Sequence, residues 1–247
     1  MQNLDSFVEV AKSAALLAGH HIKDQKNKDL EILLNDGRDI KLQLDVDAEK
    51  IIKEYLSLNS VFPILAEESG ISKKIDQLYW VVDPLDGTSN FLRNIPISCV
   101  SIALMNNLEP ILGVIYDFNN NDLYFAHNES QAYLNDAKIY VSSTSLKSDA
   151  TLVTGIPAKK NYLDEEFKNM IADFQSWKKI RMIGSAAMAS VYVASGKADA
   201  YSENGIFLWD IAAGAAIVKS AGGKVSLQNF TPDFRVDATF TNQNISS

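Results

Sequence analysis

The sequence predicts a mixed α/β fold of the α+β type, and three observations lead to that class. Apolar residues recur at helical spacing over 4–18. Short strand patterns separated by turn residues follow one another over 97–141, and strand and helix patterns alternate after residue 150. The chain has 247 residues, 47% of them hydrophobic, which is enough to bury a sizeable core. We therefore expect one unit made of two closely packed halves, about 1–142 and 143–247.

The N-terminal helix is the first predicted element. Its apolar residues lie on one face over 4–18, and Gly19 is placed near its end. His20 and His21 follow directly. Adjacent histidines on a helix cannot both face one partner, and no acidic cluster is near them in sequence, so we expect both to be solvated surface residues.

A hairpin and a second helix are predicted next. The strand patterns 30–34 and 40–44 flank Asn35-Asp36-Gly37, which is a hairpin signal. A helix then begins near Asp45 and runs to about residue 58. Acidic residues in a first helical turn often only complement the helix dipole.

The central strand is predicted to end in carboxylates. Two aromatic and two β-branched residues, 79–82, lead directly into Asp83. Pro84 cannot donate a ladder hydrogen bond, so we expect the strand to stop there. Asp86 follows three places after Asp83, and a turn would bring both carboxylates to one small volume. Upstream, the apolar strand 63–66 leads to Glu67 and Glu68.

The residues after Asp86 have the pattern of a tight turn followed by a helix start. Gly87 permits the turn, and the side chains of 88–90 are typical of a helix N-terminus. Unpaired amide groups at such a place favour phosphate binding. Carboxylates next to them suit a divalent metal ion beside that phosphate.

The second half is predicted to repeat this arrangement. A helix over 164–174 places four apolar residues on one face: Phe167, Met170, Ile171 and Phe174. A strand over 179–183 ends at Gly184-Ser185-Ala186, and a helix over 187–194 follows. Its first amides can bind an oxyanion, although small residues there also simply allow close packing. A strand over 198–203 then precedes Trp209-Asp210, at the start of a helix ending near Gly222.

Composition excludes several classes of protein. The formal net charge of −8 disfavours nucleic-acid binding. No apolar run approaches the ~20 residues that span a bilayer, and the N-terminus carries Asp5 and Glu9, unlike a signal peptide. Cys99 is the only cysteine, so no internal disulfide forms, and we expect a buried, unreactive thiol in a reducing cytoplasm.

Three motifs carry a resemblance to a known family. Residues 83–91, Asp-Pro-Leu-Asp-Gly-Thr-Ser-Asn-Phe, resemble the Asp-Pro-Ile/Leu-Asp-Gly-Thr-x-Asn-Phe signature of the inositol monophosphatase family, a group of magnesium-dependent, lithium-sensitive phosphomonoesterases. Residues 66–70 and 209–214 resemble the family's other motifs, in the same order. The resemblance runs from the first helix to about Gly223. It implies a layered αβαβα sandwich and a single catalytic unit over 1–247.

The resemblance also implies a two-metal site. Four carboxylates gathered without cations would repel one another, and oxygen-only ligands select Mg²⁺ or Mn²⁺ over zinc. The two ions lie about 4 Å apart, as in other two-metal sites. The implied ligands are Asp83 as the bridge, Glu67 and the Leu85 carbonyl on one ion, and Asp86 and Asp210 on the other. A third ion is an open alternative, because Asp45 matches the aspartate of the family's Thr-x-x-Asp element but Leu42 replaces its threonine.

The remaining implied roles concern water and substrate. Thr88 and Glu67 orient the attacking water, Glu68 supports the site, and the amides of Gly87 and Thr88 hold phosphate oxygens. Glu203 matches the position that accepts a hydrogen bond from a sugar hydroxyl. The full set expected to bind substrate is Asp86, Gly87, Thr88, Ser89, Gly184, Ser185, Ala186, Glu203 and Asp210.

The sequence therefore predicts a cytoplasmic, Mg²⁺-dependent phosphomonoesterase, with Mn²⁺ able to substitute. Its expected substrate is a small phosphorylated polyol such as myo-inositol monophosphate. Two alternatives within the family are a 3′(2′),5′-bisphosphate nucleotidase and a histidinol-phosphatase. A metal-binding regulatory protein without turnover is the alternative of another class. We expect a homodimer, with no nucleic acid or membrane as partner.

Overall fold

The structure is a computed structural model that describes residues 4–26, 31–36, 39–156 and 163–245, with only the backbone described at 35–36 and 39–40. None of the described helices is long and apolar enough to cross a membrane. The helices are α1 (Leu4–Gln25), α2 (Gln43–Asn59), α3 (Thr88–Leu92), α4 (Asp164–Phe174), α5 (Ala186–Ala194) and α6 (Leu208–Ser220).

The strands form a hairpin and two larger sheets. Their bounds are β1 (Ile32–Asp36), β2 (Asp39–Leu42), β3 (Ile64–Ala66), β4 (Gly70–Ile71), β5 (Leu78–Asp86), β6 (Cys99–Asn106), β7 (Glu109–Asp117), β8 (Asp122–His127), β9 (Tyr133–Leu134), β10 (Ala137–Lys138), β11 (Thr151–Thr154), β12 (Lys179–Met182), β13 (Ala200–Phe207), β14 (Lys224–Gln228) and β15 (Arg235–Thr241). Strands β1 and β2 pair with each other, in antiparallel fashion. The eight-stranded sheet has the order β10-β9-β8-β7-β6-β5-β3-β4, and the five-stranded sheet has the order β12-β11-β13-β15-β14.

These elements stack in five layers, as the resemblance implied. Helices α1 and α2 cover one face of the eight-stranded sheet, and α5 and α6 fill the space between the two sheets. Helix α4 lies along the outer side of β11 and β13. Because side chains alternate along a strand, Trp80 and Val82 of β5 enter the core under α1 and α2, whereas Tyr79 and Val81 enter the core around α5 and α6.

The predicted end of the first helix at Gly19 is wrong, because α1 continues to Gln25. A Cβ on Gly19 would lie 2.4 Å from the ring of Tyr116. The glycine therefore allows α1 to pack closely on β7 and does not end the helix. His20 is exposed as expected, but His21 is half-buried, with its Nε2 atom inaccessible and unpaired among the described residues.

The predicted hairpin and second helix are present with shifted bounds. Strand β2 is Asp39–Leu42, and α2 already begins at Gln43, so Asp45 lies in its first turn. The Leu42 amide donates to the carboxylate of Asp45, which stabilises this helix start. The residue Gly37 of the predicted turn lies outside the described residues.

Pro84 does not end the central strand as predicted. Strand β5 continues to Asp86, and its pairing with β6 shifts register between Asp83 and Asp86. Such an irregularity leaves residues without ladder partners, so a proline is tolerated there. The bulge turns the end of the strand and re-aims its carboxylates.

Helix α4 has the predicted bounds, and the structure leaves its apolar face exposed. No residue of α4 is buried, and Phe167 and Ile171 remain 46% and 45% exposed. Amphipathic spacing predicts which side of a helix is apolar, but it does not determine whether the fold covers that side.

Candidate active site

One cavity of about 670 Å³ lies where the two halves meet. Its walls come from the loop after β3, the end of β5, helix α3, the loop before α5, strand β13 and the start of α6. The predicted residues found in its lining are Glu67, Asp83, Leu85, Asp86, Gly87, Thr88, Ser89, Gly184, Ser185, Ala186, Glu203 and Asp210. Residues from four separate parts of the sequence are thus brought to one space.

The end of β5 supplies two buried carboxylates. Asp83 is 1% exposed, and its Oδ1 accepts a hydrogen bond from the Leu85 amide at 3.0 Å. Asp83 also shares a side-chain hydrogen bond with Glu67. Asp86, on the far side of the bulge, is buried against the second half of the chain. The strand irregularity is therefore what allows both aspartates to line the same cavity.

The second half contributes Asp210 and Glu203. Asp210 lies in the first turn of α6, where its carboxylate accepts a hydrogen bond from the backbone of Phe207. Glu203 lies on β13 and is buried. The hydroxyl of Tyr201 donates to Glu203 Oε2 at 3.1 Å. Gly155 leaves room for that carboxylate, because a Cβ there would lie 2.4 Å from Glu203 Oε2.

The four carboxylates predicted as metal ligands raise one another's pKa values. Burial raises the pKa of Asp86 to about 6, and burial together with neighbouring carboxylates raises the pKa values of Asp83 and Asp210 well above the ordinary range. The pKa of Glu67 is raised by the same two causes. Glu67 is itself exposed at the cavity, where solvent screens part of this effect.

This charge distribution fits hard cations. Four carboxylates cannot all remain ionised in so small a space unless positive charge enters it. Oxygen-only donors match the preference of Mg²⁺. Among the described residues, no three acidic, histidine or cysteine side chains already have their donor atoms gathered around one ion-sized position. The chemistry of the lining residues nevertheless fits magnesium.

The turn after Asp86 has the geometry of a tight helix entry. Gly87 has φ +87°, and a Cβ on it would lie 2.7 Å from the Ile97 carbonyl oxygen. A side chain is therefore excluded there by backbone conformation and by space. Thr88 follows as the first residue of α3, and its hydroxyl donates to the Leu85 carbonyl at 2.9 Å.

The start of α5 is held by Asp86. The Ser185 hydroxyl and the Ala187 amide both donate to Asp86 Oδ2, the amide at 2.8 Å. Ser185 also caps the helix by accepting from the Met188 amide at 3.2 Å. The predicted substrate residues Gly184, Ser185 and Ala186 do line the cavity, but in this structure the helix start is engaged with a carboxylate of the first half.

Glu68 and Asp45 are not among the residues that line the cavity. Glu68 contacts Lys41, and its backbone amide donates to Glu49 Oε2 at 2.7 Å. Asp45 is buried behind the site at the start of α2, and burial raises its pKa to about 7. Sequence reasoning missed Lys41 and Glu49, since nothing in the local pattern distinguishes them from solvated charges.

Asn90 is a further residue whose role sequence reasoning missed. Its side-chain amide donates to the carbonyls of Ile97 at 2.8 Å and Ile183 at 2.7 Å. It therefore links α3 to the loop that precedes α5. The only signal was its place in the motif, which gives no hint of a partner 93 residues away.

Comparison with known proteins gives concordant matches. Residues 3–239 match the model of the inositol monophosphatase family. Nus factor SuhB of Xylella fastidiosa is 40% identical over 220 residues, covering 88% of this chain and 79% of that protein. Inositol-1-monophosphatase of Synechocystis is 37% identical over 235 residues, covering 93% and 82%.

Solved structures agree with these matches. The extragenic suppressor protein SuhB from Bartonella henselae superposes with a TM-score of 0.84 at 34% identity, covering 96% of this chain and 93% of that one. The inositol monophosphatase from Anabaena gives 0.83 at 33% identity, covering 98% and 92%. The likeness therefore extends over nearly the whole chain in both sequence and fold.

Proposed function

This chain belongs to the inositol monophosphatase family, and from that premise we propose that it is a Mg²⁺-dependent phosphomonoesterase acting on a small phosphorylated polyol. The observation that carries the proposal is the shared cavity, in which Glu67, Asp83, Asp86 and Asp210 lie beside the amide groups of the turn at Gly87. Residues 1–247 would act as one catalytic unit whose two halves each supply part of that cavity.

The residues that would hold two magnesium ions are those of the lining. Glu67 and the Leu85 carbonyl would serve one ion, Asp86 and Asp210 the other, and Asp83 both. When bound, magnesium supplies positive charge to the phosphate and makes water a stronger acid. Mn²⁺ would bind the same oxygen donors.

The protein's own groups orient the reactants. Glu67 accepts a proton from the attacking water, and Thr88 holds that water, because its hydroxyl hydrogen is already directed to the Leu85 carbonyl and its lone pairs remain available. The amides of Gly87 and Thr88 donate to phosphate oxygens and stabilise their charge as it grows. Water attacks phosphorus in line with the departing oxygen, so no phosphoenzyme forms.

Two features favour a polyol monophosphate such as myo-inositol monophosphate as substrate. Glu203 would accept a hydrogen bond from a substrate hydroxyl, and the Tyr201 hydroxyl holds its carboxylate in position. Among the described residues that line the cavity there is no lysine or arginine to pair with a second phosphate. A 3′(2′),5′-bisphosphate nucleotidase is therefore less well supported, and a histidinol-phosphatase stays an alternative.

A second candidate function is a role without turnover. Some of the similar proteins are named Nus factor SuhB, which suggests a metal-binding component of a transcription complex. Binding of Mg²⁺ without release of phosphate from any ester would favour it. We also propose a cytoplasmic homodimer, since the apolar face of α4 is exposed in the single chain.

Phosphate release tests the proposed function directly. We expect turnover with Mg²⁺, loss in excess EDTA and inhibition by Li⁺. Asp83→Asn should lower kcat on the order of 10³-fold, the upper end of what one electrostatic partner contributes. The matched control is Asp164→Asn, the same change on the exposed start of α4.

A substrate panel at equal enzyme concentration decides between the alternatives. The panel contains inositol phosphate, histidinol phosphate, fructose bisphosphate and phosphoadenosine phosphate. A kcat/KM highest for inositol phosphate supports the proposal. Robust turnover in EDTA would reject the metal-dependent mechanism.

A further inference from the structure

A second group of acidic side chains lies behind the cavity. We call Asp45, Glu49 and Glu68 the rear carboxylates. Asp45 and Glu49 are 2% and 3% exposed. The Leu42 amide binds Asp45 Oδ2 at 2.8 Å, and the Glu68 amide binds Glu49 Oε2 at 2.7 Å. These bonds hold the side chains of Asp45 and Glu49. Glu68 directly follows Glu67 in the sequence, so the group lies next to a proposed metal ligand.

Two lysines pair with members of this group. The Lys41 ammonium forms an ion pair with Glu68, whose side chain is only 8% exposed. The charges of Glu49 and Glu67 also act on Lys41, and together with the Glu68 contact they raise its pKa, so it stays protonated. The Lys53 ammonium lies 3.6 Å from Glu49 Oε1. The rear carboxylates thus already have fixed positive charge from the chain itself.

Leu42 removes a potential metal ligand from the same place. Its side chain is fully buried and has no oxygen atom. Asp45 Oδ1 is the opposing observation, because it is buried and has no hydrogen-bond partner among the described residues. An ion bound behind the cavity would therefore need Asp45 as a ligand. Substituting Asp45 can then show whether this place holds a divalent ion or is compensated by the lysines alone.

We propose that the Lys41 ammonium takes the place of a third divalent ion behind the cavity, so that this chain binds two ions and not three. This inference rests on the proposed function, since it concerns the metal requirement of the same site. Lys41 is then a positioning residue, which holds Glu68 and compensates the charge beside Glu67.

Counting bound Mn²⁺ ions tests the proposal without measuring activity. The full chain is titrated with MnCl₂, and free Mn²⁺ is followed by electron paramagnetic resonance. We expect two ions per wild-type chain. Lys41→Met should bind a third, because the rear carboxylates lose one of their two cations. Lys12→Met is the matched control, since Lys12 pairs with Glu9 on α1 and should leave the number at two.

Asp45→Asn provides a second variant. With Lys41 in place of an ion, this change should leave two bound ions. Three ions in the wild type that fall to two in Asp45→Asn would overturn the proposal, and so would two ions in both wild type and Lys41→Met. In those cases Mg²⁺-dependent phosphate release would continue, whereas a wild type that binds no Mn²⁺ and releases no phosphate would overturn the proposed function as well.

Discussion

At the scale of single residues, the proposed contact of Glu203 with a substrate hydroxyl depends on how its carboxylate is held. Burial raises its pKa to about 7, the Tyr201 hydroxyl bonds one of its oxygens, and Gly155 leaves the space that it occupies. A side chain held in this way loses little conformational entropy when a substrate hydroxyl binds to it. Its orientation therefore depends on a neighbour that does not need to touch the substrate.

Tyr201→Phe tests this arrangement. The change removes the donor to Glu203 and leaves the aromatic ring in its core, so we expect KM for a polyol phosphate to rise about 10-fold, as one hydrogen bond to a charged group is worth. We expect kcat to change little, because no reacting atom is touched. Steady-state kinetics separates the two constants.

Tyr79→Phe is the matched control for that measurement. Its hydroxyl donates to the Asn107 carbonyl at 2.9 Å, away from the cavity. Both variants should lose comparable free energy of unfolding, about 1 kcal/mol. Only Tyr201→Phe should alter KM, and equal KM values in the two variants would contradict the role given to Glu203.

The sequence predicts chemistry at this scale better than it predicts partners. The motifs predict that Asp83, Asp86 and Asp210 approach one another, and all three residues line one cavity. The contacts of Lys41 with Glu68 and of Asn90 with Ile183 join residues distant in the chain. Local patterns contain no information about such pairs, so sequence reasoning missed them.

At the scale of elements, α3 and the loop before α5 are held together by Asn90. A Cβ on Gly184 would lie 3.1 Å from the Asn90 side chain, so the two pieces of backbone approach closely. Ser185 and Ala187 bind Asp86 directly after this point. The hydrogen bonds of Asn90 therefore determine how the turn at Gly87 is oriented relative to the start of α5.

Asn90→Asp tests the link between the halves. The carboxylate cannot donate to the Ile97 and Ile183 carbonyls and places a charge beside them. We expect a loss of about 2–3 kcal/mol in the free energy of unfolding. We also expect a roughly 10- to 100-fold lower kcat, because the turn at Gly87 shifts. Urea unfolding and steady-state kinetics measure the two effects.

Asn119→Asp is the corresponding control. Its side-chain amide donates to the Ser98 carbonyl and hydroxyl, both at 3.2 Å, and it does not line the cavity. We expect a smaller loss of stability, because the new carboxylate can pair with Lys26 Nζ, which lies 3.2 Å from Asn119 Oδ1, and a nearly unchanged kcat. If both variants lower kcat equally, Asn90 only stabilises the fold.

Element types were predictable, whereas several of their limits were not. The predicted meander of β6, β7 and β8 is confirmed. Its strand patterns are clear, and the turns between them contain Asn107 and Asn121, which adopt positive φ. The predicted ends at Gly19 and Pro84 were wrong because both residues are explained by tertiary structure. Gly19 allows close packing of α1 on β7, and Pro84 lies in the irregularity of β5. Such tertiary effects override local propensity.

At the scale of the whole molecule, the exposed face of α4 bears on assembly. Phe167 and Ile171 lie on this face, and neighbouring Leu163 is 72% exposed. Ile171→Glu would place a charge in the centre of a homodimer interface formed there. We expect it to convert a dimer into a monomer, measured by light scattering after size-exclusion chromatography.

Leu58→Glu controls for the added charge. Leu58 is 85% exposed at the end of α2 and should tolerate glutamate with no change in molar mass. A wild type that is monomeric at micromolar concentration would contradict the proposed dimer. A dimer that persists in Ile171→Glu would place the interface on another face.

The buried carboxyls of the metal-free chain make its stability depend on pH. The folded-state pKa values are raised to about 7 for Asp45 and Glu203 and to about 6 for Asp86, from ordinary values of 3.8, 4.5 and 3.8. Between about pH 4 and 7 the folded chain therefore retains protons that the unfolded chain has lost. The free energy of unfolding must then fall as pH rises through this window, by on the order of 1 kcal/mol per pH unit for each carboxyl.

Urea unfolding between pH 5 and 8, with and without Mg²⁺, measures this dependence. Mg²⁺ should stabilise the chain more at pH 8 than at pH 5, because ions bind the ionised carboxylates of the folded state. Glu203→Gln removes one contributor outside the metal ligands, so its stability relative to wild type should increase as pH rises from about 4.5 to 7. Parallel curves with and without Mg²⁺ would show that the cavity carboxylates do not bind the ion. A constant difference between Glu203→Gln and wild type would show that folding does not raise the pKa of Glu203, because only a proton retained by the folded state can produce the slope.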